Sequence, residues 1–109
     1  MPSVPKVLGQ VSPPASMTVL YTVPTGVVST IVSTLMACNS ATQGAYISVR
    51  VAINGVADDP SQAIYNQVYL APNETFAATM GITMDTSDVI RCASSLSGVS
   101  FTLFGTEVS

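Results

Sequence analysis

The stretch Ala45-Tyr46-Ile47-Ser48-Val49-Arg50-Val51-Ala52-Ile53 changes character at every step. Ile47, Val49, Val51 and Ile53 fall on one side of an extended chain, and Tyr46, Ser48, Arg50 and Ala52 on the other. Side chains of a strand point to opposite faces in turn, so the pattern predicts a strand with one face on a core and one on water or a neighbour. Outward from it the same period returns at 99–104, where Val99, Phe101 and Leu103 oppose Ser100, Thr102 and Phe104. Residues 28–38 form a longer run rich in β-branched side chains, which are stiff at χ1 and suit a pleated surface. Weaker strand signals lie at 7–10, 17–23, 64–70, 75–80 and 89–93, and no helical period of useful length appears.

Turn chemistry separates these runs. Ser12-Pro13-Pro14-Ala15 cannot continue a ladder, because proline has no N–H to donate. Pro24-Thr25-Gly26 and Asn54-Gly55 supply the fixed and the positive φ that tight turns need. Breaks at Asp58-Asp59-Pro60-Ser61, Pro72-Asn73-Glu74, Asp85-Thr86-Ser87-Asp88 and Ser97-Gly98 complete the set. About eight short strands at this spacing predict an all-β domain, a single antiparallel sandwich of jelly-roll type. With 109 residues one domain is expected, over residues 6–109, preceded by an extended arm at 1–5 in which Pro2 and Pro5 bracket a short linker.

Composition narrows the function. Charged residues make up 8% of the chain, against about 25% in ordinary soluble proteins, while the apolar share is 48%. Serine and threonine supply much of the remaining polarity. A neutral surface of this kind is expected to be covered by partners. The basic residues are Lys6, Arg50 and Arg91, against six acids and a net charge of −3. Three scattered cations cannot track a phosphate backbone, so no nucleic acid is expected as a partner. No apolar run approaches the roughly 20 residues of a spanning helix, so no membrane partner is expected either. The N-terminus has no apolar h-region, and synthesis without secretion is the expectation.

Catalysis finds little to work with. The chain has no histidine, the usual general base near neutral pH and the commonest metal ligand. No catalytic residues, cofactor or metal are therefore expected, and the chain is expected not to be an enzyme. Asp85 and Asp88 could lend oxygens to a calcium ion, but such a site needs six to eight ligands, and opening a turn is the better reading. Cys38 and Cys92 both fall in expected strands. They could bridge two sheets as in antibody domains, but the tryptophan that packs there is absent, and two buried free thiols are expected instead.

The residues most fitted to contact partners are tyrosines, which offer a large area with a hydrogen-bonding tip and little entropy to lose. Tyr21, Tyr46, Tyr65 and Tyr69 are the four, and strand alternation puts Tyr65 and Tyr69 on one face with Gln67 between them. Tyr46, Tyr65 and Tyr69, with Pro2, Val4 and Pro5 of the arm, are the candidate contact residues.

The order of landmarks resembles small virion proteins of tailed bacteriophages. The resemblance rests on Lys6-Val7-Leu8-Gly9-Gln10, Leu20-Tyr21-Thr22-Val23-Pro24, Val28-Ser29-Thr30-Ile31-Val32 running into Cys38-Asn39, and Ile47-Ser48-Val49-Arg50-Val51. It continues through Pro72-Asn73-Glu74-Thr75, Gly81-Ile82-Thr83-Met84, Asp88-Val89-Ile90-Arg91-Cys92-Ala93-Ser94 and residues 100–107. Nearly the whole chain is covered, by landmarks of a sandwich and by no active-site motif. The resemblance implies a structural role in the virion. The first expectation is a capsid decoration, or cement, protein that clamps the major capsid protein as a homo-oligomer, a homotrimer or similar cyclic assembly. A tail, neck or fibre component touching the host surface is the second. A carbohydrate-binding module is the third, and it would favour exposed tryptophan, of which the chain has none.

Overall fold

A computed structural model describes residues 3–13 and 16–109 of the chain. Among the described residues there are eight strands: β1 (Ser3–Val11), β2 (Thr18–Thr22), β3 (Ser29–Asn39), β4 (Ala45–Ala52), β5 (Ala63–Leu70), β6 (Thr75–Asp85), β7 (Val89–Ser94) and β8 (Val99–Val108). They form two four-stranded antiparallel sheets, in the orders β1-β8-β3-β6 and β2-β7-β4-β5.

The pairing follows a nested rule. First pairs with last, second with seventh, third with sixth and fourth with fifth, as in one long ribbon folded at its middle. Two further pairings, β3 with β8 and β4 with β7, join the ribbon's rungs into sheets. A ribbon wound this way is an eight-stranded jelly roll, the doubled Greek key.

The core lies between the sheets. Val32, Leu35, Ala37, Phe101 and Leu103 of one sheet meet Ile47, Val49, Ile90 and Cys92 of the other, all without solvent exposure. The alternation at 99–104 is therefore seen directly, with Val99, Phe101 and Leu103 inward. Where β1 of one sheet approaches β2 of the other, Gly9 lies so close that a Cβ there would overlap the carbonyl oxygen of Leu20. Only glycine fits that crossing.

Three local expectations are revised. β1 begins at Ser3, so Ser3, Val4 and Pro5 pair with Val108, Glu107 and Thr106 of β8 instead of forming a separate arm. Met1 and Pro2 lie outside the described residues. Ile53 leaves the strand and stands 75% exposed in a 3-10 turn, Ile53–Gly55. Asn54 and Gly55 there have φ of 59° and 69°, as a tight turn demands, yet they open a long excursion to β5 rather than a two-residue hairpin. Cys38 was expected to be buried, but it is exposed on the outer side of β3, while Cys92 is buried; both are free thiols. The strand's alternation explains this, since Ala37 and Asn39 on either side of Cys38 take the inward positions.

Candidate functional site

The outer face of β2-β7-β4-β5 holds two of the candidate tyrosines. Tyr46 and Tyr69 are paired in register on β4 and β5, and their rings meet edge to face with centroids 5.4 Å apart. They are 48% and 56% exposed, more than a merely packed ring requires. The ring of Tyr69 lies over Gly44, where a Cβ would overlap it. Beside the pair is an open cleft of about 310 Å³ lined by Tyr46, Ser48, Gln67, Ala93, Ser94 and Ser95.

Tyr65 is not part of this face. It turns inward against the core, with its ring 5.3 Å from that of Phe76. A bulge separates it from Tyr69: Ile47 pairs with Val68 and Val49 with Tyr65, so Asn66 and Gln67 together oppose Ser48. The extra residue inverts the alternation between the two tyrosines. Gln67 carries a φ of 54°, and its backbone N–H donates to Ser48 Oγ at 3.0 Å. Ser48, only 4% exposed, is thus the side chain that pins the bulge. Nothing in the sequence marks it, since the period puts Ser48 on the outward side of β4 with Tyr46 and Arg50, where a serine is ordinary.

Tyr21, the fourth tyrosine, faces no partner either. It is buried, and its hydroxyl donates to Glu107 Oε2 at 2.6 Å and lies 2.9 Å from Thr30 Oγ1. Burial first, and then the hydrogen bond to Glu107, push the Tyr21 hydroxyl up to about 12. The same bond, with that from Lys6, holds the Glu107 carboxyl below the usual carboxylate range. Lys6 Nζ stands 2.9 Å from Glu107 Oε1, so the carboxylate ties β1, β2 and β8 together, and the Tyr21 hydroxyl adds β3 through Thr30.

Further along the same outer face Arg50 and Arg91 are opposite one another in register. Like charges so placed repel, and the excursion between β4 and β5 relieves them. Arg50 Nη1 donates to Asp58 Oδ2 at 2.7 Å and Arg91 Nη1 to the carbonyl of Val56 at 3.0 Å. Asp59 caps the 3-10 turn Pro60–Gln62 by accepting from the N–H of Ser61, which lowers its pKa. Asp85 opens its turn as expected. Asp88 spends both carboxylate oxygens on backbone, accepting from the N–H groups of Asn54 and Asp85.

Val4 and Pro5 of the candidate set are exposed on β1, far from Tyr46 and Tyr69 in the strand order. Pro2 lies outside the described residues. The structure thus brings together Tyr46 and Tyr69, and separates them from Tyr65, Val4 and Pro5.

The class the topology defines is the eight-stranded jelly roll, a fold that viral capsid domains, lectins and cupins share. No family model and no curated protein matches the sequence. Among solved structures, the chain is similar to a chain of the viral particle of infectious bursal disease virus, at a TM-score of 0.59 and 10% identity, over 98% of this chain and 31% of that one. A chain of the Gx strain of the same virus gives 0.55 and 9%, over 98% and 33%. This chain therefore spans about a third of the length of the viral chains it resembles. At such identity the likeness is one of fold.

Proposed function

We propose that the chain is a non-enzymatic structural protein of a virion, a decoration protein that clamps the head of a tailed bacteriophage as a homotrimer or similar cyclic assembly. The observation that carries the reading is the jelly roll itself, of the kind found in virus particles, on a chain whose surface is largely neutral. Many weak symmetric contacts suit such a surface, and multivalency makes them strong without one tight site. Tyr46 and Tyr69, rigid and exposed together, supply the aromatic anchor of a contact with the major capsid protein.

Particles assembled without this chain test the reading. They should form heads that lose DNA at milder heat or lower salt than complete particles, and added purified protein should restore resistance. Tyr69→Ala should restore less while folding normally, since Tyr69 packs mainly on Tyr46 and Gly44. Heads of unchanged resistance that fail to adsorb to cells would move the chain to the tail or fibre. Particles unchanged in both respects would refute a structural role.

A further inference from the structure

The two outer faces of the jelly roll divide the charge unequally. Arg50 and Arg91 stand on the outer face of β2-β7-β4-β5, with Asp58 drawn over it. Lys6 and Glu107 belong to the core side of the other sheet, in register with Gly105 and Thr30. Asp59, Glu74 and Asp88 lie in connections between strands. The outer face of β1-β8-β3-β6 keeps a single charge among the described residues, Asp85, at the corner where β6 ends.

The rest of that face is uncharged: threonine, serine, small residues and apolar side chains, with Gln10 of β1 donating to Thr102 Oγ1 at its edge. Ile31, Thr34, Met36 and Cys38 of β3 run down its middle, with Phe104 beside Thr34 and with Val7 of β1 beyond. Val7 is 47% and Ile31 45% exposed. Most of these side chains are β-branched or short, so docking costs them little conformational freedom. Four strands spaced about 4.8 Å apart, each about ten residues long, offer about 600 Å² per copy, so a contact that buries this face against an equal area of a neighbouring copy lies at the lower end of specific interfaces.

Charge selects the occupant. Copies of a chain with a net charge of −3 repel wherever acids meet, and this face keeps them apart. We infer that the homo-oligomer forms by burying this uncharged face of one copy against a second copy, leaving Tyr46, Tyr69 and the arginine face free for other partners. The inference rests on the oligomeric reading given above and adds which face makes it.

The two thiols report the outcome. Cys38 sits on the face, and Cys92 lies in the core as an internal reference. Maleimide labelling is followed over a dilution series, with light scattering on the same samples. Where scattering reports an oligomer, Cys38 should label at least about tenfold more slowly than in the dissociated protein, with Cys92 unlabelled throughout. Ile31→Lys should give a folded monomer with fast Cys38 labelling, and Tyr69→Lys on the opposite face should leave the oligomer intact. Thr79→Lys, an exposed position of β6, serves as a second face variant should Ile31→Lys not fold. An oligomer whose Cys38 labels at the monomer rate, or one dissociated by Tyr69→Lys but by neither face variant, overturns the assignment of the face and leaves the oligomer standing. A monomer at every concentration, with Cys38 fully reactive on particles as well, overturns both.

Discussion

A single hydroxyl joins the two sheets. Tyr21 reaches from β2 to Glu107 on β8 and Thr30 on β3, and its burial gives that bond weight. The linkage sets a pH window. A tyrosine whose folded pKa is raised to about 12 contributes stability that is fully present below its ordinary value of 10.0 and is lost as the pH rises toward 12. Cys92, which burial alone pushes up to about 12, adds to the same alkaline fall. Glu107 acts at the other end: its lowered pKa gives stability that is present above the ordinary carboxylate range and lost as the pH falls through the lowered value. Tyr21→Phe should therefore make the melting temperature fall less steeply in alkali, with the Cys92 part remaining. At neutral pH it should cost about 1–3 kcal/mol, because Glu107 and Thr30 lose a buried partner. Melting curves across the pH range check both. Gln67 gives a second test at this scale. Its positive φ is one that glycine adopts freely, so Gln67→Gly should be neutral or stabilising, whereas Gln67→Val should cost about 1–3 kcal/mol. Chemical denaturation separates the two. Neither residue's role was legible beforehand. Tyr21 looked like a contact residue because composition cannot distinguish a tyrosine whose hydroxyl finds a buried partner from one that meets solvent.

Strands were legible where alternation ran unbroken and misplaced where a bulge or a turn interrupted it. The inward set Val99, Phe101 and Leu103 followed from period alone. Tyr65 and Tyr69 did not, since one residue inserted opposite Ser48 inverts everything beyond it. The start of β1 was missed because Pro5 reads as a break, though a proline is tolerated on an edge strand, and β1 is an edge. Connections also carry structure that a turn reading leaves out. Asn39 at the end of β3 has no solvent exposure, and its side-chain amide donates to the carbonyls of Gln43, Leu70 and Ala71 at 2.9–3.2 Å. Its Oδ1 accepts from the N–H of Ala41 at 2.9 Å. One residue thus fastens the β3–β4 connection to the β5–β6 connection. Asn39→Ala leaves several buried backbone groups without partners and should cost about 3 kcal/mol or more. Asn39→Asp should not rescue it, because a carboxylate cannot donate to three carbonyls. Thermal melts of the two variants decide the point.

At the scale of the molecule, the sandwich and its strand count were readable because eight runs and their turn residues repeat along the chain. The wrapping order was not, since nesting first with last depends on pairings that no local pattern encodes. The functional surface was half readable. Tyr46 and Tyr69 meet on one face, but the uncharged face of β1-β8-β3-β6 comes from the spatial sorting of nine charges, which only the topology reveals. On the proposed reading the uncharged face is covered by a second copy and the face of Tyr46 and Tyr69 by another partner of the particle. Copy number in purified particles tests that most directly. Quantitative mass spectrometry of gradient-purified phage, scaled to the major capsid protein, should find this chain in hundreds of copies per head, retained through washing. A few dozen copies at most would place it in the tail, and its absence from washed particles would contradict the account.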